Sequence, residues 1–148
     1  MQTSDPDIYA AGDIANWPDR TFSKRLRVEH WDVASNQGLR AGRNMAGEGK
    51  AYRTLPYFFS DLFDLSFDAW GDLSSWEMTL LRGSLERGSF AFYYFRQNIL
   101  VGVLAVGRPK EEQKAMPALV KARLTYDMLA GKLADESVDL NSLLQPTA

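Results

Sequence analysis

Two short stretches carry residue types that could hold a ligand. At Ala10-Ala11-Gly12-Asp13 a small-residue corner lets the backbone approach a bound molecule closely, and the Asp13 carboxylate can accept hydrogen bonds from the hydroxyls of a polyol. Gly-Asp is also a common turn pair, and an exposed turn aspartate is the plainer reading of the same residues. The second stretch, Arg27-Val28-Glu29-His30-Trp31-Asp32, lies where a helix should begin. Unpaired N–H groups and the positive end of the dipole at such a point favour an anion, or a ring with an electron-rich edge. A His30-Trp31 capping pair packed on the protein itself is the alternative. Ser23, Lys24, Arg25 and Arg27 read as a solvated basic loop.

Composition excludes other chemistries. The 148 residues include no cysteine and one histidine, which removes thiol chemistry, cysteine-ligated zinc or iron-sulfur centres and any multi-histidine metal site. A serine triad would need His30 as its base, and no small-residue elbow surrounds any serine, so an independent hydrolase is disfavoured. Gly47-x-Gly49 lacks the third glycine and the strand-to-helix setting of a dinucleotide loop. Lys plus Arg number 17 against 19 for Asp plus Glu, a net charge of -2, so no global basic field recruits nucleic acid. No apolar run reaches the ~20 residues of a membrane span, no signal peptide is visible, and the cysteine-free composition suits a cytoplasmic protein. With 45% hydrophobic, 24% charged and 12% aromatic residues, the balance is that of one soluble domain or one and a half small ones.

These stretches need elements to position them. Ser4-Asp5-Pro6 reads as a turn into a short apolar strand at Ile8-Tyr9-Ala10, which finds no partner nearby because the residues that follow look helical or looped. Val33, Ala34, Gly38, Ala41 and Met45 recur at helical spacing, predicting a helix over 31–46 with an Ala/Gly face suited to close packing. The composition shifts at Gly47-Glu48-Gly49-Lys50, and a boundary near Arg53 separates residues 1–52 from 53–148. Beyond it, alternation over 66–70, 78–82 and 90–95 and the apolar run 99–106, entered through Arg96-Gln97-Asn98, predict a β-meander of at least three strands. After Gly107 the pattern is helical from 110 to about 129, with Pro117 interrupting it to give two short helices or one kinked helix, followed by the acidic stretch 135–139 and a frayed end.

Three segments occur in the order found in one family. Ser4-Asp5-Pro6-Asp7-Ile8-Tyr9-Ala10-Ala11-Gly12-Asp13-Ile14-Ala15 resembles the second FAD motif of pyridine-nucleotide oxidoreductases. Arg27-Val28-Glu29-His30-Trp31, followed by Ala34, Gln37 and Ala41, resembles the flavin-contacting segment of ferredoxin-reductase-like and apoptosis-inducing-factor-like enzymes. Residues 52–61, then Phe63-Asp64-Leu65-Ser66-Phe67 and Gly71-Asp72, are similar to the start of their C-terminal interface domain, closest in wording to monodehydroascorbate reductase. The likeness runs from 3 to about 122. It implies an α+β chain in which residues 1–52 are the remnant of an FAD-binding α/β domain. Residues 53–148 then form an antiparallel-sheet C-terminal interface domain with terminal helices. The catalytic body with its two glycine-rich nucleotide loops is expected to precede Met1, leaving this chain inactive by itself.

The resemblance also implies roles. Asp13 would bind the ribityl hydroxyls of FAD, with Gly12 and Ile14 lining the approach. Glu29, His30 and Trp31 would lie beside the isoalloxazine at the helix start. Phe59 falls where relatives place a Trp or Tyr against the flavin or nicotinamide, and Asp68 is a candidate carboxylate on the nicotinamide side. NAD(P)H would be the co-substrate, and the acceptor a ferredoxin-like protein, steered by Lys24, Arg25 and Arg27, or a small molecule. Ser35 stands where plant ascorbate-radical reductases carry an Arg, which argues against that substrate. The competing reading is a non-enzymatic interaction or homodimerisation module built on the aromatic meander and terminal helices.

Overall fold

The computed structural model describes residues 1–144, and these divide into two compact units, Met1–Phe58 and a second beginning at Phe59. In the first unit a 3-10 turn, Gly12–Ile14, precedes two three-residue strands, β1 (Trp17–Asp19) and β2 (Lys24–Leu26), paired antiparallel. Helix α1 (Trp31–Met45) follows. Trp17, Phe22 and Leu26 of the hairpin are buried with Val33 and Ala41 of the helix and Tyr52 beyond it, and the Trp17 and Tyr52 rings meet edge to face at 5.6 Å. Asp19 closes the hairpin by accepting the Phe22 N–H at 3.0 Å. The helix lies where its periodicity puts it. The strand expected at Ile8–Ala10 is instead a single bridge between Tyr9 and Gln2, and β1 and β2 replace the loops expected after it. Strands of three residues, one containing Pro18, leave too little alternation to be read.

In the sheet of the second unit, β3 (Tyr57–Leu62), β4 (Leu65–Gly71), β5 (Met78–Ser84), β6 (Ser89–Arg96) and β7 (Ile99–Val106) lie in the order β3-β4-β7-β6-β5. The expected meander is β5-β6-β7, and β4 adds to its far side, Phe67 opposite Val106. Gln97 and Asn98 both have positive φ, 50° and 64°, the two-residue turn whose twist matches antiparallel strands. Gly71, at φ +97, lets β4 pass close to β7, since a methyl there would stand 2.2 Å from the Val101 carbonyl oxygen.

Helices α2 (Lys110–Ala122) and α3 (Tyr126–Leu133) cover one face of the sheet. That face carries Tyr93, Phe95, Val103 and Ala105, all fully buried, against Met116, Leu119, Val120, Leu129 and Leu133. Each such large apolar side chain contributes roughly 1.5–3 kcal/mol on burial. Pro117 does not break α2. The helix runs through it because Ala115, Met116, Leu119 and Val120 bury a continuous stripe to either side, and it ends at Arg123, whose φ of 52° is left-handed. Nor is the acidic stretch a loose tail, because Leu140 in the following turn (Leu140–Leu144) is buried; the last four residues of the expected frayed end lie outside those described. On the opposite face Phe90, Phe92 and Tyr94 form a row of rings 5.6 and 6.3 Å apart, continued by Trp76 at 4.8 Å from Tyr94.

Candidate functional site

The corner at Gly12 is built from both its own sequence and α1. Gly12 adopts φ +76, a conformation costly for any residue with a Cβ. Its carbonyl accepts the Ala15 N–H at 2.9 Å, and its own N–H donates to Gln37 Oε1 at 2.8 Å. A methyl on Gly12 would stand 3.5 Å from the Ala34 Cβ, so the corner lies directly against the first turns of α1. The turn thereby presents Asp13 and Ile14 outward, Ile14 at 81% exposure. Gln37 is completely buried between Val33 and Ala41, and its Nε2 has no hydrogen-bond partner among the described residues.

His30 is the residue preceding the first turn of α1. Its Nδ1 accepts the Asp32 N–H at 3.2 Å, which requires the ring proton on Nε2, and its ring stands 6.1 Å from that of Phe58. The capping alternative thus accounts for one nitrogen of His30. Trp31 is not packed on the protein: it is 72% exposed, one helical turn before Ala34. Glu29 is exposed and pairs with Arg27 at 2.8 Å, and Arg25, on β2, donates to the Asn16 carbonyl. An exposed carboxylate at a glycine corner, with Ile14 beside it and Trp31 opening the adjoining helix, suits a ligand that has both a polyol and an apolar planar part. The corner and the helix start are therefore brought together within the first unit, and their residue types fit FAD.

Phe59 and Asp68 belong to the second unit, on the neighbouring strands β3 and β4. Phe59 is exposed on β3, and Asp68 is half-buried opposite Ala105. The same unit holds a charged cluster that spacing did not reveal. Arg82, 1% exposed, donates to both Glu112 carboxylate oxygens at 3.1 and 2.9 Å and to the carbonyls of Leu133, Asp135, Glu136 and Val138. Arg108 holds the same Glu112 at 2.8 Å and Glu136 at 2.8 Å. Burial pushes the Glu112 carboxyl up, but Arg82 and Arg108 outweigh it and hold it below the ordinary glutamate range. Its signal was a cation at an inward position of an alternating strand, Met78, Leu80, Arg82. Gln37, a polar residue inside the Val33–Ala41 stripe, left the same kind of trace.

A family model described as "Reductase C-terminal" matches residues 57–144, and the chain belongs to that family. The chain is 33% identical to monodehydroascorbate reductase of Pisum sativum over 151 aligned positions, covering 96% of this chain and 34% of the relative. A ferredoxin reductase from Rhodopseudomonas palustris superposes with a TM-score of 0.83 at 27% identity, over 97% of this chain and 35% of that one. The covalent putidaredoxin reductase–putidaredoxin complex gives 0.84 at 28% identity, over 97% and 34%. The chain thus spans about a third of the length of the relatives it matches. The relatives it matches are named as reductases, and its α+β fold is the one expected. Among the described residues no helix is long and apolar enough to cross a membrane.

Proposed function

We propose that this chain is the C-terminal segment of an FAD-dependent NAD(P)H oxidoreductase, in which electrons pass from nicotinamide through flavin to an acceptor. In this reading residues 1–52 complete an FAD-binding domain whose nucleotide loops lie upstream, and 53–148 form the interface domain. The carrying observation is the Gly12-Asp13 corner seated against the N-terminal turns of α1, with Asp13, Ile14 and Trp31 exposed. Asp13 holds the ribityl hydroxyls, Gly12 and Ile14 line the approach, and Glu29, His30 and Trp31 flank the ring. Within the second unit, Phe59 would offer a stacking face and Asp68 a carboxylate suited to the nicotinamide. Bound flavin supplies the redox chemistry. The chain's own electrostatic part would come from the N-terminal end of α1, whose dipole favours negative charge by about 0.3–1 kcal/mol.

A ferredoxin-like protein is the proposed acceptor class, supported by the likeness to a reductase solved with its putidaredoxin partner and by Lys24, Arg25 and Arg27 around β2. A small-molecule acceptor is the other outcome, and a cytoplasmic setting accords with the absence of cysteine. The test is Asp13→Ala in the flavin-loaded protein, formed by this chain with a separately expressed upstream portion. FAD dissociation should rise at least tenfold while the light-scattering mass stays constant; unchanged FAD retention refutes the proposal. The chain alone should purify without stoichiometric flavin and without reductase activity. The ring row Phe90-Phe92-Tyr94-Trp76 favours a second reading, a homodimerisation module, in which Phe92→Ala lowers the light-scattering mass and Asp13→Ala alters nothing.

A further inference from the structure

The 3-10 turn that carries Asp13 has no local cap. Ala11, which precedes it, offers no side-chain acceptor, and Gly12 sits in the left-handed region. The acceptor comes instead from Gln37, whose Oε1 takes the Gly12 N–H at 2.8 Å across 25 positions of chain. A helical side chain leans toward the N-terminus of its helix, so the carboxamide reaches back past Ala34, the residue against which Gly12 packs. Because the partner is a donor, the amide oxygen must face it and the nitrogen must face away. That nitrogen is buried without a partner among the described residues. Leucine or methionine would fill the Val33–Ala41 stripe with no such loss, so packing does not explain a glutamine here. Its oxygen does.

We infer that Gln37 is a positioning residue for the Asp13 carboxylate: its oxygen ties the glycine corner to α1, so that corner and helix start meet one ligand as a rigid pair. The inference rests on the proposed FAD site and deepens it, by assigning the aim of Asp13 to a side chain that acts through Gly12. Gln37→Met keeps the length and removes the acceptor. Gln37→Glu keeps the length and an accepting oxygen.

In this chain, amide exchange at Gly12 read by NMR should quicken about 3–10-fold in Gln37→Met, the worth of one net hydrogen bond, and stay near wild type in Gln37→Glu. The Val33 and Ala41 amides should be unchanged in both. In the flavin-loaded protein, Gln37→Met should raise the FAD dissociation constant about 3–10-fold and Gln37→Glu should restore most of it. Added to Asp13→Ala, Gln37→Met should cost less than about twofold more, because a residue acting through Asp13 has nothing left to position. With Asp13→Ala itself weakening FAD, an unchanged Gly12 exchange rate or a fully additive double variant overturns the inference. Asp13→Ala that leaves FAD binding unchanged removes the underlying site and the Gln37 role together, whatever Gly12 exchange shows.

Discussion

Replacing Arg82 by methionine should release the C-terminal segment of the second unit from its sheet. The guanidinium is 1% exposed and serves the Glu112 carboxylate together with four main-chain carbonyls, those of Leu133, Asp135, Glu136 and Val138. Breaking a buried ion pair by deleting one partner costs about 3–5 kcal/mol when the other charge is stranded. Here Glu112 is not stranded, since Arg108 still binds it at 2.8 Å, and the carbonyls at Asp135 and Glu136 belong to exposed residues that water can reach. The expected loss therefore lies at the lower end, about 3 kcal/mol. Methionine fills part of the volume but supplies no donor, and lysine, with three donors on one nitrogen, cannot span acceptors on α2 and on the chain beyond α3 together. Urea denaturation gives the total. Hydrogen exchange by mass spectrometry should show protection lost over residues 133–144, where Leu133 and Leu140 are buried, before it is lost in β6 or β7. A loss below about 1 kcal/mol, with unchanged exchange over 133–144, would mean that apolar contacts alone hold this segment and that the cation is dispensable.

The same cluster sets an acid limb. The Glu112 carboxyl is held below its ordinary value in the fold, so the unfolded chain binds the proton first. Stability from this group is then fully present above about pH 4.5 and is lost as pH falls through the lower folded value. Denaturation midpoints measured from pH 7 to pH 3 should be flat and then fall, and Arg82→Met should make that fall shallower; an equally steep limb in the variant refutes the assignment. Tyr93 predicts the opposite behaviour at high pH. Its hydroxyl is buried with no partner among the described residues, and burial pushes it well above the ordinary tyrosine range. Tyr93→Phe should therefore change stability at pH 7 by less than about 1 kcal/mol, or raise it. It should also reduce the stability lost above about pH 10, where an unfolded tyrosine ionises and the folded one does not. A loss above about 1.5 kcal/mol at pH 7 would show that the hydroxyl is hydrogen-bonded.

Elements whose cause is local could be read from residue order. The Ile99–Val106 run is β7, Gln97-Asn98 supplies a turn with two positive φ values, and the Val33, Ala34, Ala41 spacing fixes α1. Where neighbours far along the chain supply the cause, local pattern misleads. Pro117 reads as a break because its missing N–H is a local fact, whereas the stripe that carries α2 through it is a property of the sheet below. Trp17-Pro18-Asp19 alternates over too few residues to register, yet Trp17 is buried against Tyr52 and the segment is a strand. Gln37 and Arg82 are the sharper cases. Each stands at a position that the helix or strand period assigns to the interior, and each is polar, which is costly there unless a distant partner meets it. Gln37 meets Gly12, and Arg82 meets Glu112 and the carbonyls near 135, thirty to fifty-six residues away. Periodicity assigns both positions to the interior and names a partner for neither. A glutamine within the stripe of a helix that opens His30-Trp31 is therefore a stronger pointer to a shared site than the Gly12-Asp13 pair by itself, because a turn aspartate needs no helix and a buried carboxamide oxygen needs a donor.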